Sequence, residues 1–147
     1  MIEGLLLLHI LSAVIWVGGM FFAHQMVRPS VAPLEAPARL QLWRRIFHRF
    51  FAWVWGAVAL LLGTGLAMQD LGVNGVHVQI MEGLGIVMML AFAHLYFAPW
   101  QRFRSAVHHA DFAAAGKELN KIRRVVEFNL VLGLIVVVVG ATGRYWG

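Results

Sequence analysis

The chain of 147 residues contains no cysteine, four prolines and few charges, with Asp, Glu, Lys and Arg making up 13%. Without cysteine there is no disulfide framework, no thiolate metal site and no covalent c-type haem attachment. A soluble domain carries about a quarter charged residues, so a chain that is 61% hydrophobic is solvated mainly by lipid. No Ser/His/Asp set, H-E-x-x-H motif or Gly-rich phosphate loop is present, and nothing points to a hydrolase. The net charge of +5 could suggest nucleic acid. The basic residues, however, flank apolar helices and form no separate domain, which suits a membrane surface and excludes a nucleic-acid partner.

Four apolar runs are long enough to cross a hydrocarbon core, which needs roughly 20 residues. They are Gly4–Val27, Phe50–Gln69, Val76–Trp100 and Val125–Ala141. The first starts acidic at Glu3 and lacks a basic leader, so it is expected to be a retained span and not a signal peptide. Arg28-Pro29 is expected to end it, because proline disfavours helix at the residue before it. A second helix restarts at Leu40, and Asp70 to Gly75 reads as a tight turn. Pro99 should kink the third helix, and Asp111 should cap a helix that starts at Phe112 and runs into the fourth span.

Of the 12 Lys and Arg, 11 lie in or beside the first and third connections, Arg144 being the exception. The positive-inside rule then puts both connections in the cytoplasm. The expectation is an all-α integral membrane bundle of four transmembrane helices, one domain over residues 1–147, with both termini outside. Its partner is the lipid bilayer, and its place is a bacterial inner (cytoplasmic) membrane.

Against this apolar background the histidines stand out. His9 and His24 lie in the first run, His48 at the start of the second, and His77 and His94 in the third. Ionisable side chains at membrane depth are costly and mark functional sites, and imidazole is the commonest metal ligand. Spans one and three run in the same direction, so His9 and His77 share one level and His24 and His94 another. Facing imidazoles could hold b-type haem and make an electron path. At about 100° per residue, His9 and His24 fall roughly 60° apart, but His77 and His94 about 100° apart. A copper site would use the same histidines plus soft thioethers. His77, Met81 and Met88 fall within about 40° on one helix, and Met20 shares the face of His9. The blander readings are that Met fills packing gaps, that His48 and His77 are solvated near interfaces, and that His108 and His109 are a surface pair. Trp53, Trp55, Trp100 and Trp146 read as interface anchors. Gly18, Gly19, Gly56, Gly63 and Gly65 read as sites of close helix contact. Glu127 could be neutralised by Arg49, Arg123 or His48, and Glu82 could meet a histidine or water.

The stretch Leu8-His9-Ile10-Leu11-Ser12-Ala13-Val14-Ile15-Trp16-Val17-Gly18-Gly19 resembles the first helix of the copper-resistance D (CopD) domain family. The run Thr64-Gly65-Leu66, and the segment from His94-Leu95-Tyr96-Phe97-Ala98-Pro99 through Arg123 to Gly133, also look like small members of that family. This resemblance implies a membrane helical bundle associated with copper uptake or resistance, working with a metal or redox partner protein. His9, Trp16 and Gly19 are more distantly similar to the first-helix pattern of HemJ-type protoporphyrinogen oxidases, four-helix membrane proteins that bind b-type haem. That family carries a functional lysine in its third helix, and the third span here has none. Three functions follow as expectations: copper handling through membrane-embedded histidines, b-type haem electron transfer, or a metal-free assembly subunit.

Overall fold

A computed structural model describes residues 1–147. It is all helical, with no strand. The first helical unit joins α1 (Ile2–Phe22), a π-helical turn (Ala23–Val27) and α2 (Arg28–Val31). The second is α3 (Ala36–Asp70), and the third is α4 (Val76–Phe97) followed by α5 (Pro99–His108). The fourth is α6 (Phe112–Thr142), which closes in a 3-10 turn at Gly143–Tyr145. All four units are apolar and long enough to span a membrane, at 30 to 35 residues each. Such lengths reach about 45–52 Å at the helical rise, well beyond a hydrocarbon core of about 30 Å. The helices therefore protrude, and the basic residues show where: both Arg/Lys-bearing connections share one end of the bundle, opposite the chain termini.

Two helix boundaries differ from the sequence expectation. Arg28-Pro29 does not end the first helix, which continues to Val31. A helical proline clashes with the carbonyl four residues back, here that of Gln25. The wider π turn that contains Gln25 displaces this carbonyl and relieves the clash. The second helix starts at Ala36 and not Leu40, with Pro37 in its first turn, where its missing N–H costs nothing.

The other signals appear as read. Ala98, at φ −119° and ψ −87°, breaks the third unit before Pro99. The Asp111 side chain caps α6 by accepting from the Ala114 N–H at 3.2 Å. After α3, Gly72 takes a left-handed φ of 92°. The Val73 N–H then returns to the Met68 carbonyl at 3.0 Å and that of Gly72 to Gln69 at 2.9 Å, closing the helix in a Schellman motif.

In the bundle α1 lies chiefly on α3, α4 and α5 lie on α6, and α1 also meets α6. One apolar core draws on all four units and is richest in aromatics toward the basic end. Trp43, Phe47, Phe51 and Trp55 recur every fourth residue on one face of α3. Phe47 stacks on Trp43 at 4.9 Å and on Phe51 at 5.0 Å between ring centres. Trp100 meets Phe51 edge-on at 5.2 Å, and Phe92 receives Trp55 at 5.0 Å and Trp16 at 6.2 Å. The anchor reading of Trp100 is corrected: it is fully enclosed, because the protruding ends of α3, α5 and α6 close around it. Trp53 and Trp146 are exposed, as an anchor requires.

Close helix contact is made by two of the expected glycines and by three others. Gly19 admits the ring of Phe50, and Gly65 the imidazole of His9. Gly18, Gly56 and Gly63 face open space. On α6, Gly133 accepts Val17 and Met88 and Gly140 faces the Met81 sulfur, and Gly143, in the 3-10 turn that follows, faces His77.

Candidate functional site

The most constrained histidine is His9, half-buried between α1 and α3. Its Nδ1 lies 2.8 Å from the hydroxyl oxygen of Thr64. That hydroxyl has one proton and a nearer acceptor, the Leu60 carbonyl at 2.6 Å, the back-bond usual for threonine in an apolar helix. The Thr64 oxygen is thereby placed to accept from His9 Nδ1–H, and in the neutral imidazole this tautomer leaves the Nε2 lone pair free. This is how a metal-binding imidazole is oriented: one nitrogen donates to a fixed partner and the other keeps its lone pair. The ring packs beside Gly65, at ordinary van der Waals distance from where a Cβ would stand. Ser12, one turn along α1, is buried and bonds the Leu8 carbonyl at 2.8 Å. The site is thus a small polar patch in an otherwise apolar helix contact.

His24 has another environment. It lies in the π turn near the basic end, with Nδ1 3.7 Å from Glu127 Oε1, and Arg28 Nη1 donates to the same oxygen at 3.0 Å. Glu127 is therefore paired across to α2 by Arg28, with His24 of the π turn close by and the charge of Arg123 also within its influence; Arg49 and His48 make no ion pair with it. Glu82 meets no histidine; it is exposed and accepts from the Gln69 side-chain amide at 3.2 Å. His77 packs its Cβ and ring against Gly143 at the end of α6. His94 is exposed on α4, one turn before the kink. His48 is exposed too, as are His108 and His109, whose rings meet edge-on at 5.2 Å.

The histidine pairs expected at two matched depths are not brought together. His9 turns to α3, His77 to the end of α6, His24 to Glu127 of α6, and His94 outward. Nowhere do three or more His, Asp or Glu side chains gather in metal-holding proximity. The shared face of His77, Met81 and Met88 is present, but it lies on the glycine face of α6, where each side chain fills the space left by Gly143, Gly140 or Gly133. Met20 and Met88 are core residues.

Two polar residues escaped the sequence reading. Thr64 was visible only within a short motif, although a threonine beside a glycine in an apolar run already offers a hydroxyl and room to reach it. Asn129, buried in the fourth span, donates from Nδ2 to the Met88 carbonyl at 3.1 Å and so ties α6 to α4. Amides of this kind serve as interhelical links in membranes.

The sequence profile of the family Copper resistance protein D (CopD) matches residues 44–142. The match includes Thr64, His77 and His94 and leaves out His9 and His24. No curated protein and no solved structure matches the chain. With the match extending over more than half of its residues and four membrane-length helices in its fold, the chain belongs to the CopD family of copper resistance membrane proteins.

Proposed function

We propose that this protein handles copper as cargo within the membrane, with His9 as the imidazole that receives it and Thr64 as the residue that positions His9. The observation that supports this reading is the His9–Thr64 hydrogen bond, which in the neutral imidazole leaves the Nε2 lone pair free for a metal. Imidazole accepts copper in either oxidation state. A single oriented imidazole without a surrounding cluster suits a cargo ion that must leave again. It does not suit a resident ion, which needs a closed ligand shell. Met20, Met81, Met88, His24, His77 and His94 take packing, ion-pair or surface roles in this reading, and b-type haem has no facing imidazole pair to hold it.

We further propose that the whole chain is one four-helix domain in a bacterial inner membrane. The two basic connections lie in the cytoplasm, so His9 sits toward the outer side. The warrant is the asymmetry of Lys and Arg. The native chain has no cysteine, so single cysteines introduced near Asn74 and near Lys117 can be labelled without background. Labelling at Asn74 only, from outside intact cells, is expected; labelling at Lys117 would reverse the orientation.

The function itself is tested by copper accumulation in cells that express the wild type, His9→Ala or Thr64→Val. Expression of the wild type should change cellular copper, and His9→Ala should abolish the change at equal protein level. A His9→Ala strain that behaves as wild type would remove His9 from the path.

A further inference from the structure

A second polar cluster, at the basic end, is short of an acceptor. Glu127 is its carboxylate, and that group is already engaged by Arg28 at 3.0 Å and approached by His24 at 3.7 Å. Arg123, four residues earlier on α6, lies with its Cζ 5.7 Å from the centre of the Trp43 ring. There it feels the positive charges of both Arg28 and Arg39 as well as Glu127. Arg39 finds a partner only in the Leu34 carbonyl, at 2.8 Å. The Arg123 Nη1 reaches Asn120 at 3.5 Å, the outer limit of a hydrogen bond. Its Nε is buried with no acceptor, and so is the indole Nε1 of Trp43, a residue only 2% exposed. Arg28 and Arg123 thus share one carboxylate, Arg39 adds its charge beside Arg123, and two buried N–H groups, on Arg123 and on the Trp43 ring it covers, have no acceptor. Buried donors are rarely left so, and like charges gathered at one place repel.

We propose that this cluster is a binding site for a phosphate-class anion, held by Arg28, Arg39, Arg123 and the indole N–H of Trp43. A tetrahedral oxyanion offers several acceptors at once, and the Nε/Nη edge of a guanidinium matches two phosphate oxygens in a fork. Arg28 and Arg39 are half-exposed on long flexible stems and can move aside to admit the anion to the donors beneath. The position suits the phosphodiester of an anionic lipid: exposed Phe22 and Met26 precede Arg28 along the helix, and exposed Phe128 follows Glu127. These are apolar surfaces on which acyl chains can lie. Soluble phosphate shares the same chemistry. Of the other acids at this end, Glu118 is already bound by Arg102 at 3.2 Å and Lys121 at 3.0 Å, Asp111 caps α6, and Glu35, which precedes α3, makes no ion pair.

The test is native mass spectrometry of the full chain, purified in an uncharged detergent and titrated with short-chain phosphatidylglycerol. Phosphatidylcholine of the same chain length is the neutral control, and inorganic phosphate is the soluble arm. The wild type should prefer phosphatidylglycerol. Trp43→Phe, which keeps an aromatic ring but removes the N–H together with the pyrrole half of the indole, should weaken that binding about threefold or more, and Arg39→Gln similarly. Arg123→Gln should weaken it about tenfold, as a charge-assisted fork is lost. The exposed Arg45→Gln should leave it unchanged. Phosphatidylglycerol that inorganic phosphate cannot displace identifies a lipid headgroup. Displacement by phosphate in the wild type, lost in Trp43→Phe, identifies a soluble anion. Equal phosphatidylglycerol binding by the wild type, Trp43→Phe and Arg39→Gln overturns the proposal, whatever Arg123→Gln does.

Discussion

At the basic end of the bundle Trp43, Phe47, Phe51, Trp100 and Phe103 interlock ring to ring and are almost sealed from their surroundings. At the terminal end Leu6, Leu7, Leu66 and Val76 stand open, and contact between helices relies on glycines and the His9–Thr64 hydrogen bond. The contrast follows from the two solvents. Within lipid, burying a leucine against a neighbouring helix gains little, since acyl chains are as apolar as the side chain, and close approach or a polar link holds helices together. Where the helices protrude toward water the hydrophobic effect returns, and a dense aromatic core repays its assembly. A cargo site belongs at the looser end, where an imidazole nitrogen can be both oriented and reachable.

That comparison can be broken first through stability. Trp100, 1% exposed, anchors the sealed end, whereas Trp53 is 65% exposed. Trp100→Ala should cost about 3 kcal/mol or more, as large-to-small changes in a packed core do. Trp53→Ala should cost almost nothing. Reversible unfolding in mixed micelles measures both, and equal losses would show that the two ends are packed alike.

The glycine contacts come next. A side chain at Gly133 would run into Val17 and Met88, so Gly133→Leu should destabilise by about 2 kcal/mol through overpacking. Gly63 faces open space, and Gly63→Leu should be tolerated. If both substitutions are silent in the same unfolding assay, α6 does not pack on its glycine face.

Thr64 offers a change that separates orientation from stability. Thr64→Val keeps the volume and removes the acceptor of the His9 N–H, so copper affinity should fall about tenfold, as loss of a ligand's supporting partner does. Thr64→Ser should restore it, and helical content by circular dichroism should stay constant in both. An unchanged affinity in Thr64→Val would mean that the hydrogen bond does not prepare the imidazole.

The smallest effect belongs to the Arg28–Glu127 pair. With side chains 43% and 45% exposed, the bond is screened, and Arg28→Gln should cost less than about 1 kcal/mol, shrinking further in salt. A loss of several kcal/mol in the unfolding assay would mark this ion pair as a buried structural element.

Much of the fold was legible because membrane thickness imposes run length and the punctuation is local. Pro99 breaks the helix since it lacks an N–H, and Asp111 caps α6 with an oxygen three residues from its target; both facts can be read within one turn of sequence. The end of the first helix was not, because the clash at Pro29 is relieved by a π turn that nothing in Ala23–Val27 announces. Trp100 illustrates another limit. Tryptophan near a span end has two favourable places, the lipid interface or a core, and only the protrusion of three other helix segments decides between them. At the candidate site His9 was singled out on cost alone, yet its partner could not be read. Depth along the spans set His9 level with His77, and angular arithmetic places residues around one helix axis but not the neighbour each face meets, so neither could show that the bundle supplies Thr64. The same arithmetic grouped His77, Met81 and Met88 correctly but could not show that glycines lie opposite.

The central claim is that the loosely packed end, through His9, meets the metal, while His24 at the basic end serves an ion pair. Competition of purified protein with a calibrated Cu(I) chelator, run on the wild type, His9→Ala and His24→Ala in parallel, addresses it directly. The account predicts that His9→Ala loses at least about tenfold in Cu(I) affinity and that His24→Ala matches the wild type. Retained affinity in His9→Ala together with a loss in His24→Ala would contradict it and move the site to the basic end.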